Sequence, residues 1–171
     1  MGTLDDFAAF YRAHFPFAWR VLRRLGARDD ELPDLLQEVF LVAYRKLPEF
    51  EGRSRLTTWL FSICHNVFRA ARRRAKHRLA SDAQSSEPVA PTASPREDYF
   101  SARELLQRLP EQQRVVFVMF ELEGMSGDEI AAELSIPVGT VRSRLRLARD
   151  NFRRELAEQA PDRDGAGCGH V

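Results

Sequence analysis

Arg142, Arg146, Arg149 and Arg153 recur at intervals of four, three and four residues near the end of the chain. On a helix that turns about 100° per residue, this spacing lines the guanidiniums along one face. Val141, Leu145, Ala148 and Phe152 repeat with the same period on the neighbouring face, which marks a buried stripe beside a cationic one. Residues 140–149 contain no acid, so the arginines of this stretch are expected to stay unpaired within the helix. A planar guanidinium grips phosphate as a fork and can hold a guanine edge with two hydrogen bonds. The available chemistry is therefore recognition of duplex nucleic acid, with the first turns of the helix reading bases and later arginines meeting phosphates.

Arg69, Arg72, Arg73, Arg74, Lys76 and Arg78 form a second cationic block within ten residues. It follows the stretch TTWLFSICHNVF, which sets Trp59, Phe61, His65, Asn66 and Phe68 on successive turns. Aromatic and amide groups beside arginines hold unstacked bases while the cations follow the backbone. Trp59 and Phe68 could equally be core residues. Acids gather elsewhere, at Asp29, Asp30, Glu31, Asp34 and Glu38. In DLLQEVFL, helical spacing puts Asp34, Gln37, Glu38 and Leu41 on one face beside an apolar stripe. Separated charges of both signs suit a protein with one negative partner and another partner of different character.

These groups need elements to position them, and the periodicity predicts helices throughout. Residues 4–25 carry Leu4, Phe7, Tyr11, Phe15, Trp19, Leu22 and Leu25 at spacings of three and four, with Pro16 expected to break or kink the helix. Residues 31–47 repeat the pattern and end at Pro48, and a longer helix starts at Leu56. Residues 81–98 hold three prolines with Ser and Ala and no aromatic, Ile or Leu after Asp82, the composition of a flexible tether. Beyond it, Ser101 with Glu104 and Ser126 with Glu129 each have capping-box spacing, and Gly124 suits a helix C-cap.

The last two helices fit a helix-turn-helix. Ile130, Ala131 and Leu134 can pack on Val141 and Leu145, with Ile136 plugging the turn. Pro137 stops the first helix, and Gly139 with Thr140 is expected to open and cap the second. Ser135 stands where such turns favour glycine, because the backbone there takes a positive φ. The expected fold class is all-α: a domain over 1–80, a linker over 81–98, a helix-turn-helix domain over 99–160, and a disordered tail over 161–171.

The chain has 171 residues and a formal net charge of only +1, so charge distribution is informative where the total is not. Two cysteines, Cys64 and Cys168, cannot build a disulfide framework, which fits a reducing compartment. No signal-peptide pattern opens the sequence, and no apolar run approaches the roughly 18 residues that would cross a membrane. A cytoplasmic protein without membrane insertion is expected. No glycine-rich phosphate loop and no convincing catalytic set occurs, so an enzyme and a small-molecule substrate are not expected. Cys168 and His170 in the tail are too few for a closed metal site, and neither a metal nor a cofactor is expected.

Taken together, DLLQEVFLVAYRKLPEFEG, TTWLFSICHN and EIAAELSIPVGTVRSRLRLAR, in that order around a tether, resemble the extracytoplasmic-function (ECF) group of bacterial RNA polymerase sigma factors. The resemblance covers residues 5–78 and 100–157. It implies binding to core RNA polymerase and promoter DNA, and a partner anti-sigma factor. It implies polymerase contacts at Asp34, Gln37, Glu38, Phe40 and Leu41. On the −10 side it points to Phe50, Ser54, Arg55, Trp59, His65, Asn66, Arg69, Arg72 and Arg73. On the −35 side it points to Thr140, Arg142, Ser143, Arg146, Leu147 and Arg149. Leu147 stands where arginine is common in such proteins, and HNVFRAARRR lacks a usual aspartate, so promoter preference is not transferable. The rival reading is a stand-alone dimeric helix-turn-helix regulator, which would sit on a palindromic site.

Overall fold

A computed structural model describes residues 4–81 and 102–158, which hold seven α-helices. The expected tether from residue 82, the cap at Ser101 and the tail lie outside the described residues. The chain divides into two compact units, Met1–Ala93 and Ser94–Val171.

The first unit packs three helices: α1 (Leu4–Leu25), α2 (Leu32–Lys46) and α3 (Leu56–Ser81). A single 3-10 turn, Leu47–Glu49, carries Pro48 and ends the second helix where proline was expected to end it. Pro16 does not break α1, which runs through it without interruption. Pro16 and Arg12 are both exposed, so the Arg12 carbonyl that loses its amide partner faces water. The core is built from Val21, Leu22, Leu25, Val39, Ala43, Leu60, Phe61 and Cys64, each 0 % exposed. At the end of α1, Gly26 takes φ 110°, and its amide and that of Ala27 both donate to the Leu22 carbonyl, which turns the chain toward α2.

The second unit comprises α4 (Ala102–Arg108), α5 (Glu111–Phe117), α6 (Gly127–Leu134) and α7 (Val138–Glu158). The single helix expected over 111–122 is instead α5 followed by a π-helical turn, Val118–Leu122. Gly124 at φ 63° closes that turn, and the Met125 amide donates back to the Met119 carbonyl. Val116, Val118, Met119, Ile130 and Ala148 are all 0 % exposed and form the centre of this unit. Phe117 stacks on Phe152 at 5.0 Å, and Asn151 donates to Gln113 at 2.7 Å, which fixes α7 along α5.

Candidate nucleic-acid interface

The helix-turn-helix is assembled largely from local signals. Ser126 Oγ accepts from the Glu129 amide at 3.2 Å, and Glu129 Oε2 accepts from the Ser126 amide at 2.8 Å, a complete capping box. Ser135 adopts φ 53°, the left-handed conformation expected there, and its amide and that of Ile136 both return to the Ala131 carbonyl. Ile130 and Ala131 of α6 and Val141 and Leu145 of α7 are buried as anticipated, whereas Leu134 and Ile136 are only half-buried. The start of α7 differs from expectation. The helix begins at Val138, and the Pro137 carbonyl accepts from the Thr140 and Val141 amides. Thr140 therefore lies inside the first turn and is not the cap, because Pro137 already fixes φ for helix entry. Gly139 lies inside the helix and not at a joint before it, and an added Cβ there would meet nothing within 4 Å.

Of the expected −35-side residues on α7, Arg142, Ser143, Arg146 and Leu147 are exposed, and Thr140 and Arg149 are half-buried. Arg142 and Arg146 have no intramolecular partner among the described residues, as a surface awaiting phosphate or base would require. Arg149 is placed differently. Its guanidinium pairs with Glu121 of the π turn at 2.6 Å and lies 5.4 Å from the Phe120 ring centre. The counter-charge missing from the helix is supplied by another element. A concave surface of about 510 Å³ runs beside this row, lined by Phe120, Arg142, Arg146, Arg149, Arg153 and others.

The −10-side residues split into surface and core. Asn66, Arg69 and Arg73 are exposed on α3, and Arg69 and Arg73 have no intramolecular partner among the described residues. Ser54 and Arg55 are exposed in the loop before α3, where Gly52 takes φ 70°. Trp59 is half-buried, with ring centres 5.2 Å from Phe50 and 6.5 Å from Phe10, so Phe50 and Trp59 make one aromatic wall at the loop. His65 was expected at the surface; it is 6 % exposed, and its Nδ1 has no hydrogen-bond partner. Burial first, and the nearby Arg69 charge second, push its pKa down from 6.5 to about 4, so it is neutral at pH 7. Phe68 is likewise core, at 2 % exposure.

Arg72 was grouped with the DNA-facing cations, but its guanidinium donates to the Gly26 carbonyl, lies 3.7 Å from Glu31 and covers the Phe68 ring at 4.9 Å. It ties α3 to the turn between α1 and α2. Arg74 makes a 2.8 Å pair with Glu38 across to α2. Two members of the basic block thus neutralise part of the acidic cluster, and repulsion within the block is correspondingly lower.

Of the residues expected to meet a protein partner, Asp34, Gln37 and Leu41 are exposed on α2, and Glu38 is half-buried beside Arg74. Phe40 is 4 % exposed, so it supports the surface from below rather than projecting from it. Gln37, Phe40 and Leu41 come together on a groove of about 830 Å³ between α1 and α2. Its other wall is Phe7, Tyr11, Phe15 and Trp19, with Tyr44 at one end in edge contact with Phe7 at 4.8 Å. Sequence reasoning treated that α1 stripe as core. The available signal was its strict spacing of four, which drifts about 40° around the helix with each step and leaves the buried face. Among the described residues no group of three metal-ligating side chains occurs, and no helix is long and apolar enough to cross a membrane.

Residues 10–78 match Sigma-70 region 2 and residues 99–151 match Sigma-70, region 4. The chain is 32% identical over 151 residues to the ECF RNA polymerase sigma-E factor of Haemophilus influenzae, covering 80% of this chain and 79% of that protein. It is 35% identical over 136 residues to the sigma-E factor of Escherichia coli strain K12, covering 70% and 71%. Among solved structures, it is similar to the sigma factor RpoE in complex with the anti-sigma factor NepR from Bartonella quintana, with TM-score 0.73, 25% identity and coverage of 90% of this chain and 98% of that one. It is also similar to CnrH in complex with the cytosolic domain of CnrY, with TM-score 0.64, 25% identity and coverage of 93% and 92%. The chain belongs to the ECF sigma factors and directs transcription initiation.

Proposed function

We infer that promoter recognition is divided between the two units and that core RNA polymerase docks on the α1–α2 groove. The observation that carries this reading is the convergence of Gln37, Phe40 and Leu41 with an aromatic wall on one open apolar surface. Asp34 is exposed and has no intramolecular partner among the described residues, which leaves it available at the rim. The loop from Phe50 to Arg55, with Trp59, Asn66, Arg69 and Arg73, suits unpaired bases and their phosphates at the −10 element. Arg142, Ser143, Arg146 and Leu147 suit the edges of duplex −35 DNA. Each contact set is modest, and joining two on one chain raises effective concentration at the second.

An anti-sigma factor is the second partner in this reading, because the relatives RpoE and CnrH are seen with such inhibitors or with a partner's cytosolic domain. An open aromatic groove also needs cover when polymerase is absent. The protein acts in the cytoplasm, without catalytic chemistry of its own. The test is binding to purified core RNA polymerase, followed by run-off transcription from a promoter library, for wild type and Leu41→Glu. Tight wild-type binding, selective transcripts and loss of polymerase binding in Leu41→Glu are expected. No polymerase binding, with a dimer on a palindrome instead, would refute the assignment.

A further inference from the structure

Leu156 is exposed near the end of α7, but in the first half of the helix a single large apolar side chain faces outward among polar ones. Leu147 is 43 % exposed in the first half of the helix, among arginines and serine. With Val141, Leu145 and Ala148 defining the buried side, about 100° per residue places Ser143 opposite the core, with Arg146 and Leu147 flanking it on either side. These three residues form the ridge farthest from the protein, the part that enters a groove first. Arg142 and Arg149 lie to one side of it, and Arg149 is held by Glu121 at 2.6 Å. The Ser143 hydroxyl donates to the Thr140 carbonyl at 3.0 Å, so it has only acceptor capacity left for a base. Arg146 has no intramolecular partner among the described residues.

A leucine on this ridge can offer no hydrogen bond. Against guanine, adenine or the cytosine amino group it would cover polar atoms without satisfying them, which disfavours those bases. Against thymine it meets the C5-methyl, the one apolar group displayed in the major groove. We propose that Leu147 is a specificity-determining residue that reads a thymine methyl in the upstream promoter element, beside the base pair contacted by Arg146. The inference rests on the assignment of α7 to duplex −35 DNA made above. An adjoining arginine and leucine then divide the readout: one selects by hydrogen bonds and the other excludes by lacking them.

The test uses the full chain with core RNA polymerase and a promoter recovered from a run-off library. Each thymine of the upstream element is replaced singly by deoxyuridine, which removes only the methyl group, and holoenzyme affinity is measured by competition. At one thymine, removal should weaken wild-type binding about four-fold, the worth of one buried methyl. Leu147→Ala should bind thymine and uracil alike there, while keeping its response to every other position. A uracil penalty that persists in Leu147→Ala, or none in wild type, overturns the inference and leaves the −35 assignment standing. Weaker polymerase binding by Leu147→Ala, with the uracil penalty intact in the holoenzyme that still forms, makes Leu147 a protein contact and overturns it too. Wild-type holoenzyme that selects no upstream element removes the assignment of α7 and the inference together.

Discussion

Acid should destabilise the first unit through His65, by an amount the structure sets. The ring is 6 % exposed, its Nδ1 has no partner, and its pKa falls from 6.5 to about 4. Between those values an unfolded chain binds the proton and the folded chain does not. Stability contributed by the neutral ring is therefore complete above the unfolded pKa of 6.5 and is lost as pH falls toward about 4. A gap of some 2.5 units, at about 1.4 kcal/mol per unit, amounts to about 3 kcal/mol. Both tryptophans, Trp19 and Trp59, lie in the first unit, so their fluorescence in urea titrations reports on that unit alone. His65→Leu keeps most of the volume and removes the titrating group. Wild type should lose about 3 kcal/mol more than His65→Leu between roughly pH 7 and pH 4. His14, whose pKa is also lowered by burial, is present in both proteins and cancels in the difference. Equal losses in the two proteins would refute the argument, because the buried ring would then not be what the proton disturbs.

Substitutions of arginine should separate reading from gripping. Arg142→Ala should cost about 1–3 kcal/mol of discrimination at the upstream element, whereas Arg73→Ala should weaken binding evenly across sequences and lower the salt slope by about 1. Competition binding over several salt concentrations checks both, and identical profiles for the two variants would undo the division of labour. Ser135→Gly should stabilise the helix-turn-helix by about 1 kcal/mol, since glycine adopts the observed φ of 53° without steric penalty. Amide exchange in α6 and α7 of the full chain should slow about five-fold, and unchanged or faster exchange would show that the turn is not strained.

The frame of both units was legible because its signals are local. Ser126 and Glu129 close a capping box from residues three apart, Ser135 takes a left-handed backbone at the place where glycine is favoured, and Pro48 ends α2 through its own ring. The periodicity of residues 31–47 predicts a stripe of Leu35, Leu36, Val39, Phe40, Ala43 and Leu47, of which all but the half-buried Leu47 lie in the core. Local signals misled where the outcome depended on another element. Pro16 is tolerated because of which side of α1 faces water. The helix through Phe117 turns to π geometry at Val118, which no propensity marks. His65 reads as a polar neighbour of Asn66, and only the packing of α3 against α1 and α2 makes one buried and the other exposed.

The same limit governs the arginines, and it decides what the candidate site consists of. Sequence spacing identified every cation in 69–78 and 142–153, yet a guanidinium on a helix has two fates that spacing does not distinguish. Arg72 meets Gly26 and Glu31, Arg74 meets Glu38, and Arg149 meets Glu121, each partner lying on a different element. These exposed or half-exposed pairs add little stability individually, but each lowers the charge that DNA would otherwise neutralise. Among the described residues Arg69, Arg73, Lys76, Arg78, Arg142, Arg144 and Arg146 have no such partner, a set smaller than the cationic set. Affinity and its salt dependence should follow the smaller set, because only cations that exchange water and counterions for phosphate release those ions. An arginine already satisfied by a carboxylate must first give up that partner.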